Sequence, residues 1–508
     1  MNKRFLIIIV MLLGVLMVSP TIAQTGNKQK TIADKKAEFE AYKQKKRQEF
    51  DNYKSRKQRE FDEYRRKKNE EFAAYVRKKW EAFNGQKPKP KPKDQDKPPV
   101  VIKDEQRQQP VKDNPIPIKE TVTPPKPEPK PEPIAPIQEI PKPAEKWVSF
   151  NVFGTGMKVR FEDKQRFRLS GLTEASVADC WQKLSGADYD NTVHDCLQLR
   201  DTKKLSDWAY LNMLQKIAEQ CVGRGNEATL LVAYIYSQSG YQMRLGMTGQ
   251  TLRMLYASRH AIFDKPCFTI EGKNYYVWNG SETSLHICSV GFPKETPLSL
   301  YVPKAQSLAV NATALRTLSS ERYPQIKAQV SVNKNLIDFY SSYPTSMVGG
   351  NFMTRWAMYA NTPMDATTKN GLYPALRKHI SGLGEKEAVE RLLNWVQTAF
   401  VYEYDDKVWG HDRAFFAEES LYYPYCDCED RSILLSRLVR DLLGLKVVLV
   451  YYPGHLATAI HFTNDVRGDY LVLGGQRYTV CDPTYIGAYI GMTMPGMDNN
   501  KATVILLD

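Results

Sequence analysis

Asp427-Cys428-Glu429-Asp430-Arg431-Ser432-Ile433-Leu434-Leu435 opens a stretch in which Ile433, Leu434, Leu435, Leu438, Val439, Leu442 and Leu443 recur at helical spacing as far as Gly444. Apolar residues at that period, closed by a glycine, predict an amphipathic helix with a glycine in the usual C-terminal position. Asp427, with Asp430 three residues on, reads as an N-cap with an acidic partner at N3. Cys428 then falls in the first turn, where the helix dipole stabilises a thiolate. Downstream, residues 445–451 read as a buried strand, Pro453-Gly454 as a turn, and His455 as the start of a second strand running to Phe462. Residues 477–481 read as a third strand, with Asp482 at its end and Pro483 terminating it. The fold class that follows is α+β, with a helix presenting a thiol to the edge of an antiparallel sheet that carries an imidazole and a carboxylate.

A thiol, an imidazole and a carboxylate in that order are the parts of a cysteine nucleophile, its base and the group that orients the base. Cys428, His455 and Asp482 are therefore the candidate catalytic residues. An oxyanion donor is also needed: the Cys428 backbone N–H together with an upstream side chain, for which Gln397, Trp409 and His411 are candidates. His461 shares strand parity with His455 but lies about 20 Å further along. Cys481 alternates to the opposite face from Asp482. A metal set of Cys426, Cys428, His455 and Asp482 lacks the usual gap between paired zinc thiolates, so neither metal nor cofactor is expected.

The order Cys428-Glu-Asp-Arg-Ser-Ile-Leu-Leu, then His455, then Asp482-Pro-Thr, resembles the Cys-x-Asp-x-Ala/Ser-x-Leu-Leu signature and the later motifs of the transglutaminase-like superfamily. The likeness covers roughly residues 385–490 and includes Leu392-Leu393-Asn394-Trp395-Val396-Gln397, similar to the helix before the nucleophile helix. It implies a papain-like core with Cys428 as nucleophile, His455 as base and Asp482 as orienter, and it sets aside Cys426, also near the helix start, because the signature has its aspartate two residues after the cysteine, as Asp430 stands to Cys428. Asp427 stands where the family often has glycine.

The chain has 508 residues and a formal charge of +14, of which about +10 lies between residues 25 and 145. Residues 1–23 pair Lys3 and Arg4 with an apolar run ending near Thr21-Ile22-Ala23, which predicts a secretory signal peptide and a periplasmic or extracellular protein with no transmembrane segment after cleavage. Within residues 31–84, Glu38-Phe39, Glu49-Phe50, Glu60-Phe61 and Glu71-Phe72 recur every 11 residues, with Tyr42, Tyr53, Tyr64 and Tyr75 three places on. An 11-residue period predicts a long, nearly straight helix or coiled coil carrying one aromatic stripe, fit for helix-mediated oligomerisation or an envelope partner. Lys45 with Glu49, Arg56 with Glu60 and Lys67 with Glu71 are spaced for i,i+4 pairing. Acids interspersed in every repeat argue against nucleic acid as a partner. Residues 85–146, rich in Lys-Pro and Glu-Pro, predict a disordered, extended polyproline-type spacer.

Residues 147–508 hold all eight cysteines. Residues 147–290 are expected to form an α+β domain, 291–345 a small β-rich module, and 346–508 the catalytic domain. Gly225–Gly240 overlays the Cys428 helix at an offset of 204, and Asn274–Asn279 overlays Arg477–Asp482 at 203. Arg224 then stands in place of the nucleophile and Asn279 in place of the aspartate, with no histidine opposite His455. A degenerate first copy is one reading and an unrelated α+β domain the other. The expected function is an exported cysteine-dependent acyl-transfer enzyme hydrolysing peptide or amide bonds in a protein or peptide substrate. A protein-crosslinking transglutaminase and a non-catalytic envelope scaffold are the alternatives.

Overall fold

The computed structural model describes residues 32–508 apart from 94, 104–107, 125 and 141–144, so the expected signal peptide lies outside the described residues. The chain is mixed α+β, with a long N-terminal helix, Ile32–Val76, and several sheets. No helix among the described residues is long and apolar enough to cross a membrane.

The chain divides at Glu60 into two compact units. In the first, the stripe residues Phe39, Tyr42, Phe50 and Tyr53 are exposed. Lysines and arginines lie over several of the rings, and Lys46–Glu49 and Lys57–Glu60 pair at i,i+3, alongside the expected Arg56–Glu60 pair at i,i+4. In the second unit one aromatic of the last repeat enters the core while its partner Tyr75 stays exposed. Phe72 is buried with its ring 4.6 Å from Trp181 and 4.7 Å from Phe292. Arg65 pairs with Asp190, and Asn69 bonds Gln238 and Trp181. The helix stops at Val76, short of the expected residue 84, because Glu81–Asn84 finds unsatisfied strand partners in Ser284–Cys288 and becomes an edge strand.

The first α+β module contains the buried helices Asp207–Val222 and Asn226–Gln238 packed on a six-stranded sheet. After the second helix come the hairpin Met243–Thr248/Thr251–Ala257, the hairpin Cys267–Ile270/Lys273–Val277, and Ser284–Cys288, which returns beside Met243–Thr248. The C-terminal module repeats this path. Helices Glu385–Thr398 and Cys428–Leu443 precede the hairpin Lys446–Tyr452/His455–His461, the hairpin Asp469–Leu473/Gln476–Cys481, and Thr503–Ile505, which returns beside Lys446–Tyr452. Residue registers agree as well as strand order. Met243 faces Tyr256 and, 204 residues on, Val447 faces Ile460; Ile270 faces Lys273 and, 203 residues on, Leu473 faces Gln476.

Between the modules the β-rich content is smaller than expected. Only Arg316–Ser319 and Lys327–Val330 form a hairpin, and Lys334–Ser341 is helical, capped by Asn333. Residues 85–146 differ most from expectation, since their described residues lie against the folded chain and do not form a free spacer. Asn114–Pro115 pairs with Asp469–Tyr470 and Glu120–Val122 with Thr503–Ile505, each in parallel, so that one segment caps both edges of the seven-stranded C-terminal sheet. Ile102, Ile116, Val122 and Ala135 are buried. Sparse apolar residues among the prolines anchor the segment, and proline suits an edge strand because it needs to donate only on one side.

Candidate functional site

Cys428 begins its helix as the sequence predicts. Asp427 is extended, its side chain accepts from the Asp430 N–H, and the Asp430 side chain accepts from the Asp427 N–H. Gly444 ends the helix at φ 69°, ψ 13°, a left-handed conformation that glycine adopts without a Cβ penalty. Ser432 Oγ donates to the Leu456 carbonyl at 2.8 Å, tying the helix to the strand that His455 starts.

His455 Nε2 lies 2.8 Å from Asp482 Oδ2, and both residues are buried. Asp482 is itself fixed, because its Oδ1 accepts from the Thr484 and Tyr485 N–H groups at 2.9 and 3.1 Å. With Nε2 occupied, the other ring nitrogen, Nδ1, is buried without a hydrogen-bond partner. The next residue, Leu456, donates its N–H to Cys428 Sγ at 3.3 Å, so the thiol and the His455 strand meet at the start of that strand. The three expected residues are thus brought to one place. The Sγ hydrogen bonds go to Leu456 N, to Asp96 Oδ2 at 3.0 Å and to Glu429 Oε2 at 3.3 Å.

The thiol sits among acids. Burial, then the charges of Asp96, Glu429 and Asp427, hold the Cys428 thiol well above its ordinary range and so keep it protonated as the donor to Asp96. Burial pushes Glu429, Asp427 and Asp430 well above the usual carboxylate range too. Arg355 answers part of this charge, pairing with Asp412 at 2.5 Å and Glu429 at 3.4 Å. Arg431 turns its guanidinium to the carbonyls of Gln397 and Phe400 at 3.0 and 2.9 Å.

The oxyanion candidates are corrected by their surroundings. Gln397 Nε2 donates to the carbonyls of Asp482, Tyr485 and Ala488 at 3.0, 2.8 and 3.3 Å, and its Oε1 accepts from Gly487 N. An amide so committed braces the loop after Asp482 and has no N–H left for an oxyanion. His411 Nε2 lies 3.1 Å from Lys91 Nζ, and burial with that ammonium lowers its pKa. Trp409 stacks edge-on to Phe415 and Tyr423 under Arg413. None of the three is among the thiol's hydrogen-bond partners.

Tyr402 is the residue that sequence reasoning missed. It pairs with Cys426 across the short parallel strands Val401–Tyr402 and Tyr425–Cys426, and its hydroxyl is buried without a partner. After burial, the Cys428 sulfur and then Asp96 are what most oppose its ionisation. Its hydroxyl therefore stays neutral and keeps a proton that no group among the described residues takes up. The residues set aside stay aside: Cys426 is buried and pushed up to about 11 by burial, His461 bonds the Arg477 carbonyl at the far end of its strand, and Cys481 Sγ points to the Thr479 carbonyl. All eight cysteines are free thiols.

Among the described residues, two groups could in principle offer a cation ligand atoms within 4.8 Å of one another: Asp96 with Cys428 and Glu429, and Asp405 with Asp412 and Glu429. Both share Glu429, which Arg355 already neutralises, and neither contains the Cys426, Cys428, His455 and Asp482 combination weighed from sequence. Comparison with protein-family models, with curated proteins and with solved structures finds no match for this chain.

Proposed function

We propose that this protein is a cysteine-dependent acyl-transfer enzyme of transglutaminase-like, papain-like type that hydrolyses amide bonds in peptides or proteins. The observation that carries the reading is the asymmetry of His455: Nε2 is held by Asp482 at 2.8 Å while Nδ1 is buried and unpaired, and the adjacent Leu456 N–H touches the Cys428 sulfur. That is the arrangement a base needs when one nitrogen is oriented by a carboxylate and the other is kept for a proton.

In the reaction, the proton of Cys428 passes to His455 Nδ1 and the thiolate adds to the amide carbonyl. Collapse of the adduct breaks the C–N bond, the amine leaves with the Nδ1 proton, and a thioester remains. Water, deprotonated by His455, then releases the acid and restores the thiol. The Tyr402 hydroxyl and the Cys428 backbone N–H are the oxyanion donors that this geometry supports. Hydrolysis in an exported setting remains the reading carried from the sequence.

The test is alkylation by iodoacetamide of full-length protein carrying Asp96→Ala, which frees the thiol from that carboxylate, with each cysteine quantified by mass spectrometry from pH 5 to 9. Cys428 labelling that falls about tenfold or more below pH 7 on His455→Ala supports the base assignment. A Cys428 rate and pH profile untouched by His455→Ala overturns it.

A further inference from the structure

The Pro-rich segment touches the candidate site at Pro92, Asp96, Lys97, Val100 and Ile102. The Asp412 N–H donates to the Pro92 carbonyl at 3.1 Å, and the thiol of Cys428 donates to Asp96 at 3.0 Å. The Lys97 N–H donates to the Gly454 carbonyl at 2.8 Å, and Lys97 Nζ reaches the Gly496 carbonyl at 3.0 Å. Further on, the Ile486 N–H donates to the Val100 carbonyl, and the Ile102 N–H returns to the Ile486 carbonyl, at 2.8 and 2.9 Å. The contacted loops are those beside His455 and after Asp482, which frame the thiol. Gly454, at φ 78°, is the point of closest approach, since a Cβ there would stand 2.7 Å from the Gln95 carbonyl oxygen.

Four of these contacts are backbone to backbone, and they run along an extended chain. Such pairing is the way a groove holds a strand-like polypeptide regardless of its sequence. Among the described residues of the segment, the side chain delivered to the sulfur is the Asp96 carboxylate, a group that cannot be cleaved by the thiol it faces and that keeps the thiol protonated. Tethering makes this contact intramolecular, so the segment competes with any free substrate at high effective concentration. Both ends are fastened: the Asp264 N–H donates to the Lys89 carbonyl on one side, and Asn114–Pro115 pairs with Asp469–Tyr470 on the other.

We propose that the described residues between Pro92 and Ile102 occupy the Cys428 groove as a built-in plug, and that the way they are held identifies the groove's substrate as an extended polypeptide gripped by its backbone. The substrate part rests on the acyl-transfer reading above; the plug does not. Asp96 keeps the sulfur engaged, Lys97 fastens the chain to the turn beside His455, and displacement of both exposes the thiol. Activation is then a matter of lifting this segment.

The experiment measures access to Cys428 by methyl methanethiosulfonate in full-length protein, a reagent that reports exposure and thiolate content without catalysis. Lys97→Pro removes one backbone donor and leaves Asp96 in place, and Asp96→Ala removes the carboxylate. Each is expected to accelerate labelling about tenfold or more, because the competent fraction sets the apparent rate. A rate unchanged by Lys97→Pro overturns the plug, whatever Asp96→Ala does. A synthetic peptide of residues 91–103, added to the Lys97→Pro protein, is expected to slow labelling again. The same peptide N-methylated at Lys97 is expected not to, and equal protection by both overturns the backbone grip. Repeating the series in the His455→Ala background separates the two ideas: acceleration that persists there upholds the plug even if the base assignment has failed, and its absence there overturns the plug as a steric device.

Discussion

Two regions of this molecule follow one path and differ in chemistry. From Asn226 and from Cys428 the chain runs helix, hairpin, hairpin and returning strand, with the first hairpin in the same register 204 residues apart and the second 203 apart. Each sheet also borrows a strand from the N-terminal half of the chain against its returning strand, Glu81–Asn84 in one and Glu120–Val122 in the other. What separates them is the helix start and the strand ends. Asp427 caps the Cys428 helix with its side chain, whereas Gly225 offers the Asn226 helix none, and Arg224 projects largely into solvent. Thr251 and Asn279 stand where the second copy has His455 and Asp482. The scaffold therefore does not need the triad. We read the pair as a duplication in which one copy lacks the chemistry.

The largest effect expected from this contrast is on turnover of an amide substrate. Cys428→Ser or His455→Ala should cut acyl transfer by about 10³-fold or more, since members of such a unit fail together. Arg224→Ala, at the matching place, should leave it unchanged. Ammonia or amine release from peptide amides, with the plug weakened equally in every protein, measures both. Equal losses in the two modules would end the assignment of chemistry to the second.

Next in size is a difference in what each core rests on. Trp181, fully buried, meets Phe72, Tyr234 and Phe292, so the first module is finished by the end of the long helix. Trp181→Ala should cost about 3–5 kcal/mol, read from the urea midpoint. The C-terminal module should hold its own hydrogen-exchange protection while helix 61–76 loses protection. Loss of protection in both at once would mean a single cooperative core.

The local parts of this fold were legible and the distant ones were not. The helix at Cys428, its Asp427 cap, its Gly444 end and the strand opening at His455 all follow from residues within a few positions of one another. Strand Thr503–Ile505 and the Asp469–Leu473 partner gave no comparable signal, being short and defined by their neighbours. Asp96 lies 332 residues from Cys428, in a proline-rich stretch with no periodicity, so nothing local marks where it docks. Gln397 was misjudged for a related reason: its two amide protons are spoken for by carbonyls 85 to 91 residues away. Composition carried no signal of what the segment lies against.

A smaller, pH-dependent effect comes from the buried acids around the start of the Cys428 helix. Burial and the Asp365 charge push Glu418 up to about 8. The folded state thus holds a proton that the unfolded chain releases in the ordinary carboxylate range, near 4.3. Stability from this group is full below that range, is lost as pH rises through the window up to about 8, and levels off above it, at up to about 1.4 kcal/mol per pH unit within the window. Glu418→Gln keeps an acceptor for the Asp365 N–H and should flatten that slope in urea titrations at pH 5 and 8. An unchanged slope would mean that the group ionises without cost.

The smallest expected effect is the most direct probe of the comparison. Placing the three residue types on the first module, by Arg224→Cys, Thr251→His and Asn279→Asp together, should yield no acyl transfer and a thiol that labels like an ordinary exposed cysteine. Position 224 precedes the helix by two residues, so the sulfur would lie outside the first turn where the dipole acts. Position 279 holds φ 51°, a left-handed backbone absent at Asp482, which turns any carboxylate there along a different line. Labelling of position 224 at pH 6 that rises when the histidine is added would show that strand register alone is enough to assemble the pair. If it does not rise, the cap and the loop after Asp482, braced by Gln397, are what convert a shared scaffold into a site.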